Sequence, residues 1–574
     1  MAEREAWDHE TDLVVVGTGA AGLGAAVVAA AEGLSVVVLE KTEWLGGTTA
    51  YSAGTCWAPG HRHQAEPAAD RDAAAGYLDA LIGDRADPAL RRAYLDHAPA
   101  AIDHLERLGV GFWHSKTVVD YHPEIPGSGV GRALEPQTFD GRRLGRDGFS
   151  RIRRPVPEFA LFGGTMMVRR PEVNELLTLL DGSPRAVPTA LRLGVTWARD
   201  RVAGYPRGTR LAMGNALVAN LWHQLRRRSG QVWFLSPATE LVTGDDGRVT
   251  GVVASREGRP VRIAARRGVV LAAGGFPSGT ELRAEHLPRP TAQFTRAADS
   301  ATGDTLALAR AAGAAVGEPR DDNAMWFPSS IGRRRDGSTA VFPHIWDRAK
   351  PGIVAVNAAG RRFVDESVSY HRFTRAMYDS NKDVPTIPAW LVLDSRTLHR
   401  YGIGMVRPHL PAALRRRYET SGYLHTAPTV ADLAASIGVD PEGLERTVAA
   451  AGRAARSGVD EEFGKGESPF GHQYGDASNT PNPNLGAIEV APFHAIAVVP
   501  TPLATTLGVR TDASARALDS DGVPVPGLYA CGGDAHSVTA SEYPGAGCQV
   551  GAGLTFGYLA ARDAAGVGAV PTRV

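Results

Sequence analysis

The 574-residue sequence contains few cysteines and no long apolar run. Its three cysteines, Cys56, Cys531 and Cys548, are unsuitably spaced for a disulfide framework, a C-x-x-C redox pair or a zinc site. Because no stretch of about 18 apolar residues occurs, no membrane-spanning helix is expected. The charged N-terminal segment does not have the pattern of a secretory signal. Together these absences predict a cytoplasmic protein.

Charge of either sign is not in excess. Lysine and arginine number 62, aspartate and glutamate also number 62, and the formal net charge is +0. This balance predicts neither a nucleic-acid-binding surface nor a polybasic membrane patch. Glycine, by contrast, is abundant, with 66 residues, well above the roughly 7% of ordinary proteins. Glycine does not recur at every third position, so the sequence is not collagen-like. The glycines therefore indicate tight turns and close ligand contacts.

The N-terminal region carries a βαβ pattern. Residues 12–16 predict a short buried strand, residues 23–31 a helix of small residues, and residues 34–39 a second apolar strand. A G-x-G-x-x-G turn joins the first strand to the helix, and Glu40 ends the second strand. This is the dinucleotide-binding fingerprint in its proper context. The alternative is a tight strand–helix turn with no ligand.

Each glycine of the turn has its own predicted role. Gly17 permits the tight turn, Gly19 lets the backbone approach a pyrophosphate at the helix N-terminus, and Gly22 lets helix and strand pack closely. Glu40 can accept hydrogen bonds from ribose hydroxyls. After it, residues 46–54 are small or hydroxylated, which suits a backbone lying against a flat ring system.

The residues around this loop resemble the flavoproteins of the fumarate reductase and succinate dehydrogenase superfamily. The similarity lies in Glu40-Lys41 followed by Gly-Gly-Thr-Thr-Ala, and Trp57-Ala-Pro is similar to the 3-ketosteroid dehydrogenase branch. The resemblance implies FAD as the cofactor. Some members attach FAD through a histidine in this loop. Since no histidine lies between Glu40 and Cys56, we expect non-covalent FAD.

Later motifs extend the resemblance along the chain. Residues 267–276 predict a strand that runs into a double-glycine turn, and residues 525–534 a Gly-Leu-Tyr-Ala strand before a second FAD-contacting turn. Residues 357–366, Asn-Ala-Ala-Gly-Arg-Arg-Phe-Val-Asp-Glu, also match the superfamily closely. Relatives hold the ribityl chain with a Glu or Asn in the second turn, where this sequence has Gly533-Asp534.

These motifs predict an α/β fold: a Rossmann-like FAD-binding domain built on the G-x-G-x-x-G βαβ unit, with an inserted α+β catalytic domain. We place the first part of the FAD-binding domain at residues 1–280, the catalytic domain at 281–485 and the second part at 486–574. A second G-x-G-x-x-G on a strand–helix turn is absent, so no NAD(P)H domain is expected. Residues 137–205 suggest a cover over the substrate entrance or a lineage-specific excursion.

The candidate FAD contacts lie in the glycine turn, at the ribose acid, in the small-residue loop, at the two later turns and at the start of the last helix. They are Gly17, Gly19, Ala20, Ala21, Gly22, Glu40, Lys41, Gly46, Gly47, Thr48, Thr49, Ser52, Ala53, Gly54, Ala273, Gly274, Gly533, Asp534, Cys548 and Val550.

Two tyrosines stand where the superfamily places catalytic or substrate-binding arginines. Tyr370 follows the Asp-Glu motif by four residues, and Tyr543 begins Tyr-Pro-Gly-Ala-Gly, as in the ketosteroid branch. Succinate and fumarate need cationic partners for both carboxylates, so two phenols suit a neutral ketone better. Tyr121, in a Tyr-x-Pro-Glu setting, resembles a further active-site tyrosine of the family. For any single tyrosine the alternative is packing with a satisfied hydroxyl.

The resemblance implies a mechanism of α,β-dehydrogenation. Tyr543 O–H and the Gly547 N–H would hold the C3 carbonyl oxygen, and Tyr370 would take the C2 proton as phenolate with help from Tyr121. A hydride would leave C1 for flavin N5, giving a conjugated enone. The helix that begins at Cys548 would point its N-terminus at the flavin pyrimidine edge.

Tyr370 needs activation because a phenol has a pKa of about 10. Candidates for that help are Tyr121 and a nearby cation, His371 or Arg372.

Several functions remain open from the sequence. The first is 3-ketosteroid Δ1-dehydrogenation, and the second is desaturation of another cyclic ketone, such as a cyclohexanone carboxylate or a polycyclic natural product. An enone reductase working in the reverse direction is a third, and a flavin protein that only transfers electrons is a fourth. Fumarate reduction is disfavoured by the two tyrosines. We expect a quinone or similar carrier as the electron acceptor.

Overall fold

The computed structural model describes residues 6–177, 179 and 184–568. Its strands are β1 (His9–Val16), β2 (Val36–Leu39), β3 (Cys56–Trp57), β4 (Phe112–His114), β5 (Ala133–Pro136), β6 (Phe139–Asp140), β7 (Ala160–Leu161), β8 (Met166–Met167), β9 (Arg210–Leu211), β10 (Gln231–Trp233), β11 (Ala238–Thr243), β12 (Val249–Arg256), β13 (Arg259–Leu271), β14 (Ala324–Arg333), β15 (Thr339–Pro343), β16 (Ile353–Val356), β17 (Ala389–Asp394), β18 (His425–Ala427), β19 (Phe493–Thr505), β20 (Arg516–Leu518) and β21 (Pro524–Ala530).

The described helices are α1 (Ala20–Ala31), α2 (Pro67–Ile82), α3 (Pro88–Arg107), α4 (Gly145–Arg151), α5 (Arg170–Leu177), α6 (Val187–Val202), α7 (Met213–Arg226), α8 (Thr280–His286), α9 (Asp304–Ala311), α10 (Tyr370–Ser380), α11 (Ser395–Tyr401), α12 (Ala412–Thr420), α13 (Val430–Ile437), α14 (Pro441–Ser457), α15 (Pro469–Tyr474) and α16 (Cys548–Ala564). Across the part of the chain that is described, none combines the length and apolar character needed to span a bilayer.

The first sheet has the order β10-β2-β1-β13-β12-β11, with β21 added beside β13. Strands β10, β2, β1, β13 and β21 run parallel where they pair. The valines and leucines of β1 and β2 are buried, as expected for parallel strands covered on both faces. The βαβ unit and the hairpin β11–β12 therefore confirm the predicted α/β fold.

Helices α1 and α16 pack against each other beside this sheet. Small residues make the close approach possible: a Cβ on Gly557 would lie 2.7 Å from the Ala21 carbonyl oxygen. The two ends of the chain thus meet at the glycine turn. The glycine turn and the N-terminus of α16 consequently lie near one another, as a cofactor spanning both requires.

The second sheet is antiparallel and belongs to the inserted part of the chain. Its order is β15-β14-β19-β17-β16, with β18 on β19. Strand β19 lies beyond the predicted domain boundary at residue 485, so the second sheet continues to Thr505. The Thr505 hydroxyl then accepts a hydrogen bond from the Phe276 N–H at 3.1 Å, which connects the second sheet to the turn after β13.

The described part of residues 137–205, for which the sequence left two roles open, forms a small layer at the cavity. Strands β7 and β8 and helices α5 and α6 pack around Met166, Val168 and Leu193. Residues 155–161 and 167–169 of this segment line the main cavity. Of the two predicted possibilities, this position agrees with a cover over the entrance.

Candidate active site

A cavity of about 2130 Å³ lies between the two sheets. Its inner wall includes the glycine turn at Gly17, the loop of residues 47–55 and the double-glycine turn at Gly274. Its other walls carry the three candidate tyrosines, Phe327 and residues from the inserted domain. One continuous space therefore connects the predicted cofactor cradle with the predicted catalytic side chains.

Two glycines of the turn differ in the space around them: Gly17 has no room for a side chain, whereas Gly19 faces open space. A Cβ on Gly17 would lie 2.3 Å from the Ala272 carbonyl oxygen, and its φ of +109° is one that other residues rarely adopt. A Cβ on Gly19 would meet only the Thr49 hydroxyl, at 3.7 Å. Gly19 therefore presents bare backbone to the cavity at the N-terminus of α1, which is the geometry that binds a pyrophosphate.

Glu40 lies at the carboxyl end of β2 and lines the cavity. Its carboxylate accepts hydrogen bonds from the Thr18 hydroxyl and, at 2.9 and 2.8 Å, from the N–H and hydroxyl of Thr42. The Thr18 hydroxyl in turn accepts the Gly46 N–H at 3.0 Å. These bonds fix the orientation of the carboxylate beside the position expected for the ribose.

Two threonine hydroxyls connect the small-residue loop to its surroundings. Thr49 accepts the N–H of Ala20 at 3.0 Å, and Thr48 accepts the N–H of Ala298 at 3.0 Å. The loop is thereby held across the glycine turn, where a flat ring could lie against it. Lys41, by contrast, already pairs with Asp304 at 2.7 Å at the cavity wall.

Most of the predicted FAD contacts line the cavity, and four do not: Gly22, Gly46, Asp534 and Cys548. A Cβ on Gly22 would lie 2.1 Å from the Gly17 carbonyl oxygen, so this glycine serves packing, as its predicted role states. Gly46 has a φ of +113° and packs beside Val218. Cys548 is buried at the first position of α16.

Asp534 is fully buried and holds a turn. Its carboxylate accepts the N–H of Ala273 at 2.6 Å and the N–H of Gly275 at 2.8 Å. Burial raises its pKa above the ordinary value, although these hydrogen bonds oppose the shift. Asp534 therefore joins the turn after β21 to the turn after β13, and its neighbour Gly533 provides the cavity wall.

Tyr121, Tyr370 and Tyr543 form one buried cluster. The Tyr121 and Tyr370 hydroxyls lie 3.0 Å apart. The ring of Tyr543 stacks on Tyr121 with centroids 5.1 Å apart, and Tyr370 lies edge-on to both rings at 5.4 Å. All three side chains line the cavity. The structure thus brings together three residues that are separated by hundreds of positions in the sequence.

Burial controls the acidity of this cluster. It raises the pKa of Tyr370 and of Tyr121 well above the ordinary value of a phenol, and the neighbouring phenols add to the effect. The pKa of Tyr543 is raised for the same reason. The cluster at rest therefore consists of neutral phenols that can donate hydrogen bonds, with the Tyr121–Tyr370 contact as a route for a proton.

The segment that carries Tyr543 is held against the segment that carries Tyr121. The Tyr121 N–H and the Tyr77 hydroxyl both donate to the Pro544 carbonyl oxygen, at 2.9 and 2.7 Å. Further along, Gly547 caps α16 with a φ of +89°, and a Cβ there would lie 2.1 Å from the Thr55 carbonyl oxygen. Among the described residues, none accepts a hydrogen bond from the Gly547 N–H.

The predicted cationic assistance to Tyr370 is wrong for both candidates. Arg372 points to Glu124, which it binds at 2.6 Å with both side chains about half exposed. Burial lowers the pKa of His371 well below its ordinary value, so this imidazole is neutral near pH 7. Sequence adjacency misled here because successive residues of a helix face different directions.

An ion network behind the tyrosines was not predicted from sequence. Arg375, on the same helix as Tyr370, binds Glu542 at 2.7 Å, Asp322 at 2.8 Å and the Ser541 carbonyl oxygen at 3.0 Å. Glu542 directly precedes Tyr543 and lies largely buried. Arg375 thereby connects the helix of Tyr370 to the segment of Tyr543. The sequence does show a Ser-Glu pair directly before Tyr543. It does not show which cation binds this glutamate.

We expect Arg375→Ala to lower kcat about 10- to 100-fold, since misplacement of a catalytic group by a fraction of an ångström is costly. It leaves Asp322 without its ion-pair partner and Glu542 with Arg85 as its remaining one, so the melting temperature also falls. Arg372→Ala, on the same helix, removes only an exposed ion pair and should change both quantities little.

Steady-state kinetics well below the melting temperature, with flavin content measured for each variant, would test this positioning role. Partial recovery of kcat in Arg375→Lys is expected. An unchanged kcat in Arg375→Ala would show that the network serves only stability.

The cavity, the glycine cradle and the fixed acid at the ribose position fit FAD. They define an FAD-dependent oxidoreductase whose cavity is also lined by a cluster of buried phenols. The chain belongs to the family described as "FAD binding domain", whose model matches residues 12–550.

Comparison with individual proteins is more specific. The chain is 37% identical over 560 residues to a 4-oxocyclohex-2-ene-1-carboxylate 5-dehydrogenase of Sinomonas cyclohexanicum, covering 96% of this chain and 93% of the relative. It is 36% identical to a 3-oxosteroid 1-dehydrogenase of Mycolicibacterium smegmatis, covering 98% of both. It superimposes with a TM-score of 0.89 and 32% identity on a 3-ketosteroid Δ1-dehydrogenase of Sterolibacterium denitrificans, solved with 1,4-androstadiene-3,17-dione, covering 97% of this chain and 100% of that chain.

Proposed function

We propose that the protein dehydrogenates a cyclic ketone at its α,β bond, with 3-ketosteroid Δ1-dehydrogenation as the leading reaction. The observation that carries this proposal is the cluster of Tyr121, Tyr370 and Tyr543 in the cavity that also holds the cofactor cradle. The 3-oxosteroid dehydrogenase relatives support the steroid as substrate. The cavity, at about 2130 Å³, has room for a ring system beside the cofactor.

The first task of the site is to make a ketone α-proton removable. The Tyr543 hydroxyl and the Gly547 N–H would donate hydrogen bonds to the C3 oxygen and stabilise the developing enolate. Because the pKa of Tyr543 is raised, its hydroxyl stays protonated and can donate a hydrogen bond. Fixed donors that gain strength as charge develops favour the transition state over the bound ketone.

The second task is to accept the proton. Tyr370, as the phenolate, would take it from C2 and become a neutral phenol, and the Tyr121 hydroxyl, 3.0 Å away, would donate a hydrogen bond that stabilises the phenolate beforehand. The C2–H and C1–H bonds break, a C1–C2 double bond forms, and the proton stays with the tyrosine pair. FAD, when bound, supplies the acceptor for the hydride that leaves C1. Burial of the whole cluster keeps water from competing for the enolate.

The raised pKa of Tyr370 leads to a pH dependence with a definite sign. The phenolate is the active base, and a raised pKa makes it scarcer at neutral pH. The rate of proton abstraction should therefore increase with pH and should not level off below about pH 10. Rapid-mixing rates measured across the alkaline range would show this rise. A plateau reached near neutral pH would contradict a tyrosine base.

The function itself is tested by mixing the holoenzyme with androst-4-ene-3,17-dione without oxygen. Loss of the flavin absorbance, together with a 1,4-diene product in the mass spectrum, is the expected result. If the flavin stays oxidised with this steroid but is bleached by a saturated monocyclic ketone, the reaction class stands and the steroid assignment is wrong.

A second substrate class has a specific observation in its favour. The relative from Sinomonas cyclohexanicum, at 37% identity, is named for a monocyclic ring ketone that carries a carboxylate. We therefore also propose carboxylated cyclohexanones as candidate substrates. Comparing kcat/KM for 4-oxocyclohexanecarboxylate and for androst-4-ene-3,17-dione distinguishes the two classes directly.

We further propose a quinone as electron acceptor and the cytoplasm as the location. The lack of a second G-x-G-x-x-G turn supports an acceptor other than a nicotinamide nucleotide. Turnover with menadione and its absence with NAD⁺ is the expected result. The division of the chain at residue 280 also remains a proposal, and its second boundary moves from residue 485 to about residue 505 so that strand β19 stays with its sheet.

A further inference from the structure

Arg296 lies in the wall of the cavity that the tyrosine cluster also lines. Its N–H donates to the Pro502 carbonyl oxygen at 3.0 Å, which fixes its backbone against strand β19. Strand β19 pairs with β14, and Phe327 of β14 packs on the ring of Tyr370 at 4.4 Å. The backbone of Arg296 is thus connected through β19 and β14 to the strand that packs on Tyr370, and its side chain lines the same cavity.

The guanidinium of Arg296 has an acid nearby but does not pair with it. Glu158 is bound instead by Arg334, with contacts of 2.6 and 3.2 Å. Within residues 6–177, 179 and 184–568, no ion pair or side-chain hydrogen bond of Arg296 is present. Burial lowers the pKa of Arg296, although the nearby Glu158 and Tyr51 oppose the shift. Such a charge is costly until an anion joins it.

The lining of the cavity that would hold both the cofactor and the substrate is basic. Lysines and arginines outnumber aspartates and glutamates among its lining residues, although the chain as a whole is balanced. Two other lining cations are already paired: Lys41 with Asp304 at 2.7 Å, and Arg400 with Asp476 at 2.6 Å. Arg296 is therefore available to a ligand in a way that these two are not.

We propose that Arg296 binds the carboxylate of a ring ketone that carries one, and is therefore the residue that admits the second substrate class, the carboxylated ring ketones. The proposal rests on the proposed dehydrogenation and specifies its substrate. The ketone oxygen would lie at Tyr543 and Gly547, and the carboxylate would receive the planar fork of the guanidinium. Two separate attachments would fix which α-proton faces Tyr370.

Binding of a ring acid that cannot react provides the test. Cyclohexanecarboxylate and its neutral counterpart, cyclohexanecarboxamide, are titrated into the FAD-loaded protein by calorimetry. Arg296→Leu should weaken binding of the acid about 10- to 100-fold, the range of a charge-assisted hydrogen bond. Binding of the amide should change little. Arg333→Leu, an exposed arginine on the same cavity, is the matched control and should leave both affinities nearly unchanged.

Three results would overturn the proposal. They are failure of the acid to bind the wild-type protein, equal binding by Arg296→Leu, and loss of flavin from Arg296→Leu, which would assign the arginine to the cofactor. The probe has no ketone, so its binding does not depend on the reaction. If no ring ketone bleaches the flavin, the proposed function fails, and the calorimetric result still decides the role of Arg296.

Discussion

Tyr370→Phe is expected to lower kcat about 1,000-fold, within the range that a positioned general base contributes. The substitution removes one hydroxyl from a buried cluster and leaves the ring that packs between Tyr121 and Phe327. Because Tyr370 is proposed to act on the substrate and not to hold the cofactor, flavin content and the melting temperature should stay close to wild type. Rapid-mixing reduction of the flavin by the ring ketone measures the affected step directly.

The control for this variant is Tyr378→Phe. Tyr378 lies on the same helix, is buried, and packs against Trp326 at 5.3 Å, but it does not line the cavity. Its hydroxyl contributes only a long contact to the Pro290 carbonyl oxygen, at 3.4 Å. Activity near wild type is expected for Tyr378→Phe. If both variants lost activity equally, the effect of Tyr370→Phe would be structural.

Tyr543→Phe is expected to lower kcat about 100- to 1,000-fold, the typical loss when one donor to a developing oxyanion is removed. The donor strengthens as negative charge develops on the ketone oxygen, so kcat should fall more than the affinity for substrate. The pH dependence assigned to Tyr370 should persist in this variant. Steady-state kinetics and a titration with a product analogue separate the two quantities.

Tyr77→Phe is the matched control for Tyr543→Phe. Tyr77 is fully buried and its hydroxyl donates to the Pro544 carbonyl oxygen at 2.7 Å, next to Tyr543, but it does not line the cavity. The Tyr121 N–H continues to bind the same carbonyl oxygen. We expect lower stability and nearly normal kcat. A fall in substrate affinity without a fall in kcat for Tyr543→Phe would contradict its role at the oxyanion.

Local sequence patterns were sufficient for the cofactor half of the fold. The glycine spacing and Glu40 require a particular turn and a particular strand end, and both lie at the cavity as predicted. The hairpin β11–β12 also follows a local rule, because adjacent strands joined by a short turn pair with each other. The family and its cofactor follow from the same local motifs and are confirmed by the match over residues 12–550.

Long-range partners could not be predicted from these patterns. The sequence suggested that Asp534 contacts the cofactor, whereas its carboxylate holds two N–H groups of the turn after β13. The contacts of Arg375 with Glu542 and of Arg334 with Glu158 each join segments more than a hundred residues apart. Charged residues of this kind carry no periodic signal, and only the packed fold determines which acid each arginine meets.

The unpaired Arg296 is the most informative of these cases. Nothing in its sequence context separates it from the many other arginines of the chain. Arg296 is significant because the nearby acid, Glu158, is bound by Arg334, and because Arg296 lines the cavity. Other cations line the same cavity, but Lys41 and Arg400 among them are bound to acids.

The most direct measurement follows the flavin absorbance of the holoenzyme without oxygen after a saturated ring ketone is added. The ketone is supplied once with hydrogen and once with deuterium at its α-carbon. Bleaching in the wild type, slower with deuterium and nearly absent in Tyr370→Phe, is the predicted result. Bleaching by Tyr370→Phe at the wild-type rate, or no bleaching with either a steroid or a carboxylated ring ketone, would contradict α,β-dehydrogenation by this tyrosine cluster.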